Sequence, residues 1–300
     1  MPHSHRNLDR PRIAVAGATG RVGSALVASL TGDPVDVVAL SRDGGDGRLP
    51  SDTAVAVVDF ARPSTLMEAL RETDRLFLAQ GTSDRQVANE IAMIDTAVAA
   101  GVSHIVKLSA MGPPTRLHPF DWHMRIEAHL ATKDVGYTVL RPGSFVTRLA
   151  GAAIPIASGT WGGAAGDGRV NLIDTRDVAE VARIALLDDR LPSSQRAYHL
   201  TGPGAVSMPE VAGTLSRLLG RPVEYIHRSV THHRKLLIES GVSEMVADLA
   251  LGLDRLFNES VMAEVTATCS DLTGKPPRSV EEWLRDNLGL FQKRDESGSR

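Results

Sequence analysis

The sequence predicts an α/β protein, a doubly wound parallel sheet followed by a smaller, mostly helical C-terminal region. Three observations predict it. Short, wholly apolar segments recur through the first half of the chain; amphipathic segments of helical period separate them; and the first apolar segment breaks into a glycine-rich turn that opens a helix. The strand candidates are residues 13–16, 35–40, 54–59, 75–79, 104–108 and 138–141. They lack the alternation of a half-exposed strand, as expected for strands covered on both faces. The helix candidates between them are residues 22–30, 64–71, 86–100 and 122–133, the third ended by Gly101.

Beyond Pro142 the pattern loosens. Residues 159–168 hold five glycines in ten positions and are expected to form a flexible or ligand-facing loop. Helices are expected over 174–187, 208–219, most of 231–264 and 279–287, with one further strand at 198–200. The expected organisation is a tail at 1–10, a nucleotide-binding domain at 11–150, a smaller substrate-binding region at 151–290 interleaved with the sheet, and a tail at 291–300.

Composition narrows the classes. The chain has 300 residues, 42% hydrophobic, with a net charge of −3. That charge and the scattered lysines and arginines point away from nucleic acid. One cysteine, Cys269, excludes an internal disulfide and suggests no cysteine metal site. There is no apolar run long enough to span a membrane, and the polar start is no secretory signal. A cytoplasmic monomer or homodimer acting on a small molecule is the expectation.

The first turn carries the chemistry. Gly17-Ala18-Thr19-Gly20-Arg21-Val22-Gly23 places glycines three residues apart between strand and helix. Backbone N–H groups at a helix N-terminus, with the positive end of its dipole, hold a phosphate. The next strand ends Ser41-Arg42 with no acid at its tip, so Arg42 can pair with a 2′-phosphate and Ser41 can donate to it. That favours NADP(H) over NAD(H). Arg42 is otherwise an exposed loop arginine, and Asp43 offers a ribose hydroxyl an acceptor one or two residues on. Asp59-Phe60 follows the third strand, either to meet an adenine or to enter the next helix beside the core. Ala79-Gln80-Gly81 ends the fourth strand with small residues where backbone passes close to a cofactor.

Together with these motifs, several later segments resemble the NmrA-like atypical short-chain dehydrogenase/reductases, in the branch of quinone oxidoreductases and triphenylmethane reductases. They are Ala100-Gly101-Val102-Ser103-His104-Ile105-Val106-Lys107-Leu108-Ser109, Tyr137-Thr138-Val139-Leu140-Arg141-Pro142-Gly143-Ser144-Phe145, Asp174-Thr175-Arg176-Asp177-Val178-Ala179, Tyr198-His199-Leu200-Thr201-Gly202-Pro203 and the stretch at 272–279. The resemblance covers residues 11–290. It implies a Rossmann-type sheet with NADP(H) at the strand ends, and reduction of a quinone or an aromatic or polycyclic ketone. Some members of that family instead bind the dinucleotide as redox sensors without evident chemistry.

The usual short-chain acid, YxxxK, is missing: Tyr137, Tyr198 and Tyr225 are followed four residues later by Arg141, Gly202 and Ser229. The candidate replacement is His123, with Glu127 four residues on and on the same helix face. A neighbouring carboxylate favours an imidazolium that can protonate a reduced oxygen; the alternative is an exposed salt pair. His118, Trp122 and His129 flank the segment, His129 as a surface residue. Ser109 either orients a substrate oxygen or caps a turn. Lys107 faces either the cofactor or solvent. Pro142, Gly143 and Phe145 are expected beside the nicotinamide. His232-His233 diverge too far along a helix to share one ion.

Overall fold

The computed structural model describes residues 10–45, 47–113, 119–189 and 194–292. The tail residues 1–9 and 293–300, and His118, lie outside them. The chain runs β1 (Arg12–Ala16), α1 (Arg21–Leu30), β2 (Asp36–Ser41), β3 (Ala54–Val57), α2 (Pro63–Ala69), β4 (Arg75–Leu78), α3 (Gln86–Ala99), β5 (His104–Leu108), α4 (Phe120–Leu130) and β6 (Gly136–Pro142). It continues with β7 (Ser144–Phe145), α5 (Ala153–Ala157), β8 (Thr160–Gly163), β9 (Arg169–Ile173), α6 (Thr175–Leu187), β10 (Gln195–Leu200), β11 (Ala205–Ser207), α7 (Met208–Leu219), β12 (Glu224–His227), α8 (Val230–Glu239), α9 (Glu244–Asn258), α10 (Thr268–Thr273) and α11 (Val280–Asp286). Among the described residues no helix is long and apolar enough to cross a membrane.

The described residues fall into two units. The first takes those within Met1–Ala110, Asp121–Arg141 and Thr175–His199; the second takes those within Met111–Phe120, Pro142–Asp174 and Leu200–Arg300. The expected boundary at residue 150 therefore differs from the observed division. Residues 175–199 return to the first unit, because α6 packs on α1 and β10 lies beside β6.

The first unit is a seven-stranded sheet of order β10-β6-β5-β4-β1-β2-β3, parallel from β3 through β6. Successive side chains of a strand point to opposite faces. Ala14, Ala16, Val38, Leu40, Leu76, Leu78, Ile105 and Val139 form one core with residues of α2, α3 and α4. Ile13, Val15, Phe77 and Val106 have the opposite parity and are fully buried on the other face, that of α1 and α6. The chain leaves β1 for β2 on one side, then crosses from β3 to β4 on the other. That order reverses between β1 and β4, the switch point at whose strand carboxyl ends open α/β sheets bind their ligands.

The second unit holds a three-stranded sheet, β11-β9-β7, and a parallel pair, β12-β8, packed with helices. The expected loop at 159–168 is corrected here: most of its first half is β8. Its glycines admit close neighbours, since a Cβ on Gly162 would lie 2.6 Å from the Ile226 carbonyl oxygen and one on Gly163 would lie 2.8 Å from the Tyr225 hydroxyl. Buried Trp161 packs edge-on against Tyr225, with ring centroids 5.1 Å apart.

Candidate active site

The glycine turn is built from backbone conformation and close approach. Gly17 has φ +75°, and a Cβ there would lie 2.6 Å from the Ala79 carbonyl oxygen at the end of β4. A Cβ on Gly23 would lie 2.1 Å from the Gly17 oxygen. Gly20 donates its N–H to that same oxygen at 2.9 Å and caps α1, which has no side-chain cap and no acid in its first turn. The side chains of Ala18 and Val22 are buried, so Thr19, Gly20 and Arg21 form the accessible part of the turn. Beside it, the Nε2 of Gln80 is a buried donor with no hydrogen-bond partner. Gly81 has open space where a Cβ would be. An uncapped helix N-terminus, a cradle that side chains would fill and an orphaned amide donor fit a dinucleotide pyrophosphate at the β1/β4 switch point.

At the tip of β2 the arrangement differs from expectation. Ser41 is buried and gives its hydroxyl hydrogen to Asp43 at 2.7 Å, which holds the Asp43 carboxyl below the usual range. Ser41 is thus no free donor toward a 2′-phosphate. Arg42 is exposed and forms no ion pair or hydrogen bond among the described residues. Arg48, not singled out in the sequence, donates to the Thr19 carbonyl at 3.4 Å and brings a second guanidinium to the glycine turn. Asp59 accepts from the Ala61 amide and from Arg62 Nε, both at 2.9 Å; the first, then the second, lower its pKa. It organises the entry to α2, and Phe60 packs against the core beside it.

A polar cluster sits where β5 meets α3 and α4. Lys107 shares the parity of Ile105 and so points beneath these helices, with no exposed surface. Its Nζ lies 2.8 Å from Oε2 of Glu90, itself fully buried, and 3.3 Å from Nδ1 of His123; it also donates to the Leu108 carbonyl. Gln86 donates to the other Glu90 oxygen at 3.0 Å. A cofactor cannot reach an ammonium enclosed in this way, so the expected contact of Lys107 with cofactor or solvent is corrected.

His123 and Glu127 share a helix but not a bond. Glu127 receives the Ser109 hydroxyl hydrogen and is paired with Arg141, whose Nε lies 3.2 Å from each carboxylate oxygen. Two expectations fall. Glu127 does not charge His123: burial first, and the Lys107 cation second, push that ring down to about 2, so it is neutral at ordinary pH. Ser109 is buried and has spent its hydrogen, leaving only lone pairs for any substrate oxygen. His129 bonds Asp95 at 2.8 Å on a partly exposed face. Trp122 is in the core.

Pro142, Gly143 and Phe145 belong to the second unit. The Pro142 carbonyl accepts from Met111, Gly143 donates to the Leu200 carbonyl at 2.8 Å, and Phe145 pairs with Ile173. In the same unit His233 Nε2 lies 3.8 Å from Asp254. No His, Cys, Asp or Glu group able to hold a metal ion occurs among the described residues.

A Rossmann-type sheet with a phosphate-fitting turn at its switch point defines a nucleotide-binding α/β protein. The chain belongs to the NmrA-like family, whose model matches residues 9–284. It is 31% identical over 284 residues to an NAD(P)H azoreductase from Xenophilus azovorans, covering 93% of this chain and 99% of that one. It is 32% identical over 286 residues to a (4-alkanoyl-5-oxo-2,5-dihydrofuran-3-yl)methyl phosphate reductase from Streptomyces griseus, with the same coverage. Among solved structures it resembles an NADPH-dependent quinone oxidoreductase from Escherichia coli complexed with NADPH, with a TM-score of 0.84, 25% identity, and 92% and 99% of the two chains covered.

Proposed function

We propose that this chain is an NADPH-dependent reductase of a quinone or of an aromatic or polycyclic ketone, with neutral His123 as the hydrogen donor to the substrate oxygen. The observation that carries it is the uncapped, glycine-lined entry to α1 at the β1/β4 switch point, beside the orphaned Gln80 amide. The NAD(P)H-dependent reductases related to this chain across nearly its whole length support the same class. Bound NADPH would supply a hydride. The Gly17–Gly23 turn would hold the pyrophosphate, with Arg42 and Arg48 as cations for a 2′-phosphate.

The chemistry of the polar cluster favours a particular kind of acceptor. A neutral imidazole is a weak proton donor, and the cluster contains no tyrosine acid. Such a site suits a substrate whose reduced oxygen is stabilised by conjugation, as in a quinone. An isolated ketone yields a far more basic oxyanion and demands more from its acid.

The test is stopped-flow NADPH oxidation with a panel of quinones, polycyclic ketones and azo dyes. Turnover fastest with quinones is expected. Tight NADPH binding without turnover of any acceptor would overturn the reading and favour a redox-sensing role.

A further inference from the structure

We propose that the buried Glu90–Lys107 pair is a positioning device that fixes His123 with its hydrogen on Nε2 and, as that hydrogen leaves, supplies a proton to Nδ1 so that the ring stays neutral. The proposal rests on the reductase reading for its catalytic half but not for its structural half.

The geometry is specific. A lysine ammonium has three N–H bonds and no lone pair. The Lys107 nitrogen bonds the Leu108 carbonyl oxygen and His123 Nδ1 and forms an ion pair with Glu90 Oε2, an oxygen that has no hydrogen bond of its own. Nδ1 therefore meets a donor and must present its lone pair. The one hydrogen of the neutral ring is left on Nε2, which meets no partner among the described residues. Glu90 makes this arrangement tenable, since an unpaired ammonium without solvent access would not persist. Glu127, four residues on along the ring's own helix, is committed to Arg141 of β6 and to Ser109, so it does not compete.

The proton balance is complete. With NADPH bound, hydride delivery would leave an oxyanion on the substrate. The Nε2–H bond breaks as the oxygen takes that proton, while one Lys107 N–H passes to Nδ1. The ring stays neutral throughout, and a neutral amine remains beside Glu90. After product leaves, Nε2 takes a proton from water and Nδ1–H returns to the amine.

The experiment is side-chain 15N NMR of His123 in the full chain, with and without the double substitution E90Q/K107M, which removes both charges together. In the wild-type chain the expected spectrum shows an unprotonated Nδ1 and a protonated Nε2, unchanged from pH 8 to pH 5. In E90Q/K107M, where Nδ1 no longer meets an ammonium, His123 samples both tautomers. A wild-type ring protonated on Nδ1, or titrating near neutrality, overturns the proposal whether or not the double variant folds. So does a double variant whose ring is indistinguishable from wild type. These readouts need no activity, so a chain that fails to turn over would sink the reductase reading and leave the tautomer assignment standing. With an active chain, E90Q/K107M is expected to lose about 100-fold or more in kcat on a ketone, within the usual range for general acid catalysis, and about tenfold or less on a quinone. Equal losses on both would overturn the relay.

Discussion

Glu90 and Lys107 face each other at 2.8 Å with neither side chain exposed to solvent. Breaking such a pair on one side leaves a charge that the interior cannot solvate. Lys107→Met alone is expected to cost about 3–5 kcal/mol of stability, while E90Q/K107M recovers most of it. Urea denaturation of the two variants measures the difference, and equal losses would contradict the pairing.

Gly17 combines a positive φ with a carbonyl 2.6 Å from where a Cβ would sit. Gly17→Ala is expected to cost about 2 kcal/mol or more, from left-handed backbone and overpacking, and to weaken NADPH binding more than it lowers Tm would suggest. Calorimetric titration at a temperature where the variant remains folded is the check.

Arg42 is exposed and unengaged at the end of β2. If it takes a 2′-phosphate, Arg42→Ala raises the Kd for NADPH about tenfold or more and leaves that for NADH near its starting value. A parallel loss for both cofactors would show that it contributes only general positive charge.

Ser109 donates to Glu127 and not into open space. Ser109→Ala is expected to lower stability by about 1.5–3 kcal/mol, the usual loss for a hydrogen bond to a charged group, with kcat close to that of the wild type. A large fall in kcat with unchanged Tm would return Ser109 to the role of a substrate contact.

His123 is held neutral, with its pKa lowered to about 2 from an ordinary value of 6.5. The unfolded chain therefore binds one more proton than the folded chain as pH falls below 6.5. Stability from this group is complete above pH 6.5 and declines steadily below it, by at most about 1.4 kcal/mol per pH unit. His123→Gln should lessen the slope of the stability profile between pH 6.5 and 4.5, leaving the contribution of His233, whose pKa burial also lowers.

Much of the first unit is legible in sequence because its inner strands β1, β4 and β5 are buried on both faces and its helices carry one apolar stripe. β5 spans the expected residues 104–108 in full, and α1 differs from expectation by one residue. The polar cluster is half legible. Residues 87, 90, 94 and 97 fall at helical spacing on the buried stripe of α3, so Glu90 is an acid on an apolar face. Such a group demands a buried cation, and Lys107 inside an otherwise apolar strand is the matching signal. Neither residue announces the other alone, since the pairing depends on which strand lies under α3. Glu127 is hidden for a related reason: helix spacing brings His123 near it, but Arg141 arrives from β6 as a full cation and takes the carboxylate. The short strands of the second unit, two to five residues with glycine at the points of contact, have too few side chains to establish a period.

The first unit draws its last pieces from far along the polypeptide. α6 covers α1, where Arg183 pairs with Asp33, and β10 lies beside β6. During synthesis the chain must therefore grow to residue 200 before the nucleotide sheet has all its strands. A gene fragment ending near residue 150 would yield a sheet with β6 as a raw edge and the apolar face of α1 bare, a species that invites aggregation and calls for a chaperone.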